Sequence, residues 1–218
     1  MSQLKVINFK SREFTPFAPH WDYLLCEGVI DFDPAPLVAE ILEKEKDIIE
    51  STKFENDWGT RLGKNSLTSR SNTYNLLRWE SAAPLKRCIK EIHDRFMEDM
   101  NIPMSSAVWG QSWANVMRKK EKIFPHCHGF GPWTYLSGHV CLKVKETSTY
   151  YINPYGGDPW ESENFEGKIT LFPGWLRHYT DQVPYDDEER VTVAFDLFPQ
   201  EAYDEDIKDS RKHHWEKL

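Results

Sequence analysis

The sequence predicts a mainly β protein with flanking helices: a double-stranded β-helix, jelly-roll or cupin-like, packed against N-terminal helices. Three observations predict it. Helical periodicity is confined to the part before residue 103, and short β-rich runs dominate after it. Pro- and Gly-based turn signals separate those runs. The chain is also rich in large apolar side chains, with nine Trp, nine Tyr and twelve Phe in 218 residues, so it can fill the space between two sheets.

The first element is a helix over 36–50. Leu37, Ile41, Ile48 and Ile49 share a face, with Asp33 as cap and Pro34 and Pro36 at the entry. A second helix spans 84–100 on the stripe Leu85, Cys88, Ile89, Ile92, Phe96 and Met100, and Pro103 closes it. The segment 52–80 carries Gly59, Gly63 and many small polar residues, and reads as an irregular or partly stranded connection. Strands follow near 107–118, 134–145, 148–153, 167–173, 175–180 and 189–198. The last alternates most clearly, with Val191, Val193, Phe195 and Leu197 on one face and Thr192 on the other. The whole chain, 1–218, reads as one domain: a helix-rich half to 103, a β core over 104–200, and a charged tail over 201–218 that is frayed or helical.

Composition narrows the function. A formal net charge of −8 disfavours phosphate backbones, so nucleic acid is not an expected partner. The basic stretch Arg118, Lys119, Lys120 and Lys122 reads as a solvated turn. The four cysteines, Cys26, Cys88, Cys127 and Cys141, form no CxxC pair, which points to a reduced protein. No membrane-spanning run is present, and the opening stretch lacks a secretory signal's apolar run, so the expected location is cytoplasmic.

The chemistry-bearing residues lie in the second half. In Pro125-His126-Cys127-His128, extended backbone would turn both imidazoles to one face and Cys127 to the other. His178, about 50 residues on, is a third candidate ligand. Two ligands from one strand and one from a distant strand would make a facial metal site, although a lone HxH also occurs as a pair of inert surface histidines. Arg190 and Thr192 share a strand face. A guanidinium fork with a hydroxyl beside it suits the distal carboxylate of a dicarboxylic acid. The competing reading pairs Arg190 with the acids at 186–189. His139, two residues after Ser137, reads first as a hydrogen-bonded core histidine and otherwise as a residue facing the same cavity. His20, His93, His213 and His214 have no partner pattern. The run Tyr150–Tyr155 and Trp160 read equally as a substrate groove or as sheet packing.

These segments resemble the iron(II)/2-oxoglutarate-dependent dioxygenase superfamily, and are most similar to oxygenases common in phages and marine bacteria. Those carry WxNxxRK, PHxH, LSG, LFPxWLxH and RxSxxF in this order. This chain has Trp113 to Lys119 with Asn115 between them, Pro125 to His128, Leu136-Ser137-Gly138, Leu171 to His178, and Arg190-Val191-Thr192. The resemblance covers about 109–198. It implies that His126, His128 and His178 ligate Fe(II), and that Arg190 and Thr192 hold the C5 carboxylate of the co-substrate 2-oxoglutarate. It gives Asn115 a co-substrate contact, as in the similar alkylation-repair dioxygenases, and places Tyr135 or Trp113 on the pocket wall.

The implied reaction is hydroxylation of an amino acid, peptide side chain or small metabolite, with release of succinate and CO2. The sequence departs from the superfamily at His128, where a carboxylate is usual. Three neutral ligands would leave the iron more positive. Alternatively, His128 stays free and an acid such as Asp158 or a water completes the site. Two other functions stay open: a three-histidine iron oxygenase of cupin type without 2-oxoglutarate, and a non-catalytic cupin-like binding module. The helical half either covers the barrel or forms a homodimer contact.

Overall fold

Alternation along the strands decides which face is buried against what. The computed structural model describes residues 4–11, 13–54 and 56–218. In chain order the elements are β1 (Lys5–Phe9), β2 (Tyr23–Val29), α1 (Ala35–Ser51), α2 (Ala83–Asp99), β3 (Val108–Met117), β4 (Leu136–Lys143), β5 (Thr147–Tyr151), β6 (Trp160–Asn164), β7 (Lys168–Pro173), β8 (His178–Thr180), β9 (Arg190–Pro199), α3 (Gln200–Glu205), α4 (Asp209–Lys212) and β10 (Glu216–Lys217).

The strands form two antiparallel sheets. One has seven strands in the order β1-β2-β7-β4-β9-β3-β10, and the other has three in the order β6-β5-β8. Apart from the β1-β2 pair, neighbours in the large sheet are distant in sequence, because the chain crosses between layers as a jelly roll does. This is the double-stranded β-helix the sequence predicts.

Period two divides β9 between two environments. Val191, Val193, Phe195 and Leu197 point to the main core, shared with Leu85, Ile89 and Ile92 of α2 and Leu37 and Ile41 of α1. Arg190, Thr192, Ala194 and Asp196 line the cavity on the other face. Phe195 is fully buried, and removing such a ring from water stabilises a fold by about 1.5–3 kcal/mol. Gly138 is required beside it. A Cβ there would lie 2.4 Å from both the Phe195 ring and the Thr170 carbonyl oxygen. Between the sheets, Tyr23, Leu25, Tyr151, Phe172 and Leu176 form a second apolar cluster. Tyr151 and Trp160 serve this packing, with ring centroids 5.5 Å apart.

Both predicted helices form. Asp33 is not the cap: Pro34 holds that position without a side-chain cap bond, and Asp33 instead accepts from the Ala35 amide at 2.9 Å, one residue outside it. The described part of 52–80 contains three short 3-10 turns and no strand. Four strands were not anticipated: β1, β2, β6 and β10. β1 and β2 join the large sheet although they precede residue 103, and β6 follows the Gly156-Gly157 turn. The predicted strand over 175–180 begins only at His178, because Gly174 to Arg177 turns. The tail is helical only in part. Its end, β10, pairs with β3, where Arg78 and Lys86 both contact the Glu216 carboxylate. Residues 118–120 form an exposed turn, with Arg118 paired to Glu45 and Lys119 to Asp186.

All four cysteines are free, with Cys127 half-buried and the other three buried. Among the described residues, no helix is long and apolar enough to cross a membrane.

Candidate metal centre and anion pocket

Backbone pairing brings the three histidines together. His126 and His178 face each other across an antiparallel bridge: the His126 amide donates to the His178 carbonyl at 3.1 Å, and the reverse bond is 2.9 Å. Residues directly opposite in an antiparallel pair project to the same side, and the two imidazole centroids lie 4.5 Å apart. The segment 125–128 is not a strand, only this single bridge. The 126/128 alternation nevertheless holds, because the His128 amide is fixed at 2.9 Å by the Gly174 carbonyl. One ligand atom from each of the three rings lies within 4.8 Å of the others.

Each ring is oriented from behind. His126 Nδ1 donates to the Phe124 carbonyl at 2.9 Å, and His178 Nδ1 to the Leu176 carbonyl at 3.0 Å. His128 Nδ1 is 2.6 Å from Asp196 Oδ1. With Nδ1 occupied, Nε2 is the free lone pair on every ring, the tautomer a metal ligand needs. Burial and the neighbouring His128 push His126 down to about 4. Burial and the other two histidines hold His178 well below its ordinary value. Both rings are therefore neutral at pH 7. Three imidazoles with a side left open to a cavity suit a transition metal such as iron.

That cavity has a volume of about 700 Å³ and runs between the sheets. Arg190, 1% exposed, lines it. Its Nε donates to Thr147 Oγ1 at 3.3 Å, and Nη1 has no partner. The neighbouring acids do not pair with it: Asp186, Asp187, Glu188 and Glu189 are taken by Lys119, Lys143 and Lys145. Burial lowers the Arg190 pKa without discharging it. A buried guanidinium with an unsatisfied N–H is costly unless an anion joins it. Thr192 lies on the same face, in register with Asn115 on β3 and Cys141 on β4. The residues present thus fit a metal ion at the three histidines and a carboxylate at Arg190.

No protein-family model matches the chain, and no curated protein matches it in sequence. Solved structures do match. A Pseudomonas putida prolyl-4-hydroxylase aligns over 81% of this chain and 92% of its own length, at 9% identity and a TM-score of 0.55. A Trichoplax adhaerens prolyl hydroxylase, solved with a hypoxia-inducible-factor peptide, aligns over 81% and 84% at 9% identity and 0.51. The chain has the prolyl-hydroxylase fold. An oxidoreductase of the 2OG-Fe(II) oxygenase family from Burkholderia pseudomallei is 19% identical over 56% of this chain, which spans 59% of that protein, at a TM-score of 0.46.

Within this prolyl-hydroxylase fold the remaining predicted residues take different places. Asn115 lines the cavity and is 5% exposed, and its Oδ1 accepts a hydrogen bond from the Thr68 hydroxyl. Tyr135 also lines the cavity, but its hydroxyl is 2.9 Å from His93 Nε2 on α2 and its ring packs on the main core. The aromatic wall is there, while the polar end serves the helix. Trp113 stands 5.4 Å from His128, ring to ring. Asp158 is exposed in a turn and does not complete the metal site.

His139 departs from the first of its two readings: it borders the cavity, and its Nε2 has no hydrogen-bond partner. Burial, with Lys168 and Arg190 nearby, pushes its pKa down to about 3. Sequence reasoning missed Asp196. The signal was present, since it lies on the Arg190/Thr192 face of β9 at period two, but an acid at that position carries no motif.

Proposed function

We propose that this chain is a non-haem iron(II) oxygenase using 2-oxoglutarate as co-substrate. One observation carries the reading: three histidines braced through Nδ1 and a buried, partly unsatisfied arginine line one cavity. The shared prolyl-hydroxylase fold supports it. In this reading His126, His128 and His178 hold iron. Arg190 and Thr192 bind the far carboxylate of 2-oxoglutarate, Asn115 contributes a polar contact on the wall, and Tyr135 and Trp113 bound the space. When bound, iron and the 2-oxo acid supply the oxidant for hydroxylating a substrate C–H bond, with succinate and CO2 as products.

The protein's own part is to neutralise and orient. Each Nδ1 hydrogen bond fixes its ring before the metal arrives, Arg190 sets the direction of the co-substrate, and the apolar rings of Phe172 and Trp113 exclude water. Trp58 and Phe130, both exposed, and Trp133 border the cavity, whose volume of about 700 Å³ suits a peptide side chain or a small metabolite beside the co-substrate. A 2-oxoglutarate-independent iron oxygenase would leave the buried Arg190 without purpose.

The test is anaerobic addition of 2-oxoglutarate to the iron-loaded protein, followed by exposure to O2. A visible charge-transfer band that needs both components, and succinate formed on adding O2, are expected. No band and no succinate would overturn the reading.

A further inference from the structure

The three histidines are not braced alike. His126 and His178 lean on backbone carbonyls, which are neutral acceptors. His128 leans on a carboxylate, and the contact is the shortest of the three at 2.6 Å from Nδ1 to Asp196 Oδ1. Ser137 Oγ donates to the same oxygen at 2.7 Å, so the carboxylate is itself held in place. Asp196 projects from β9 in register with Ser137 on β4 and Gln111 on β3, which fixes it on the cavity wall. Its carboxylate is not one of the converging ligand groups. Among the described residues, no lysine or arginine forms an ion pair with it.

We infer that Asp196 is a positioning residue that supplies, through His128, the negative charge missing from the ligand set itself. The inference rests on the metal-centre reading above. A carboxylate behind a ligating imidazole fixes the ring and makes its far nitrogen a stronger donor, and loss of such a partner typically costs 10–100-fold in metal affinity. The charge count then changes. Three neutral ligands leave a divalent ion at +2. With Asp196 one residue removed, the local sum falls to +1, as if a carboxylate were bound directly, while all three imidazoles remain as ligands. Position 128 accepts a histidine because position 196 carries the acid.

Co(II) serves as the probe, because its visible bands report ligand strength without turnover. Asp196→Asn keeps the acceptor and removes the charge. It should bind Co(II) about tenfold more weakly, with shifted bands. Asp196→Ala removes both and should approach a hundredfold loss. Asp196→Glu should recover affinity to within a few-fold. Ser137→Ala, which only loosens the carboxylate, should act in the same direction and less. Circular dichroism on each variant separates these effects from unfolding. Binding of Co(II) by folded Asp196→Asn within twofold of the parent, with an unchanged spectrum, would overturn the inference while leaving the metal centre standing. If the parent takes up no Co(II), the metal centre falls and the inference with it.

Discussion

The two ends of the cavity are built on opposite plans. At the histidine end every ring has its rear nitrogen occupied and its front nitrogen free. At the arginine end the single cation is buried and one of its N–H groups meets nothing. The first suits a cation: its hydrogen bonds are made in advance, and burial keeps His126 and His178 unprotonated at neutral pH. The second suits an anion, since burial strips water from the Arg190 guanidinium and a carboxylate would offset that cost. The difference teaches how one molecule could be gripped along its length between two sites of opposite character.

Four measurements would break or sharpen this contrast. The largest effect is expected at the cation end. His178→Ala deletes a ligand and its place in the bridge with His126, and should lower metal affinity more than about 1,000-fold and abolish succinate formation. Metal binding by titration checks it, and near-parental affinity would separate the histidines from the metal.

Arg190→Met should then act on the other end alone. Losing two charged hydrogen bonds of about 1.5 kcal/mol each predicts roughly a hundredfold weaker 2-oxoglutarate binding. Metal affinity should stay within threefold, measured by calorimetry with and without the co-substrate. A comparable loss of metal affinity would show that the ends are not independent.

A third measurement concerns His139, which lies between them. Its folded pKa, about 3, is below the ordinary 6.5. The unfolded chain therefore takes up the proton first as pH falls. Stability from this group is full above 6.5 and is lost progressively as pH drops from 6.5 toward 3. The slope is at most about 1.4 kcal/mol per pH unit. Comparing urea melts of the metal-free protein with those of His139→Gln between pH 6.5 and 4 should show a shallower decline in the variant. Parallel curves would mean the ring is not shielded.

The smallest effect belongs to Thr192→Val. Removing one neutral hydrogen bond of about 1 kcal/mol should weaken 2-oxoglutarate binding about fivefold, read from the same calorimetry. No change would assign the anion to Arg190 alone.

Much of this was legible before any coordinates. The β9 alternation gave the core face and the cavity face correctly, because a period of two leaves no other choice once Val191 to Leu197 are seen. The convergence of His126, His128 and His178 was readable too, although through a one-residue bridge rather than a strand. What escaped has physical reasons. β2 is buried on both faces at Leu25 and Cys26, so it shows a run instead of an alternation. β6, Trp-Glu-Ser-Glu-Asn, is mostly polar, and it lies at a sheet edge. β10 exists only through pairing with β3. Asp196 was hidden because a single acid on a strand has meaning only when the ring it supports is known. The hydroxyl of Tyr135 went to His93 on α2, a long-range partner that spacing along the chain does not reveal.

The solitary guanidinium of Arg190 has a practical corollary for anyone handling the protein. Small organic acids in the medium can occupy its berth, so citrate, malonate or succinate buffers should raise the melting temperature in a concentration-dependent way and mask the intended co-substrate. Preparations dialysed into an amine buffer should melt at a lower temperature, because no carboxylate is there to offset the buried charge.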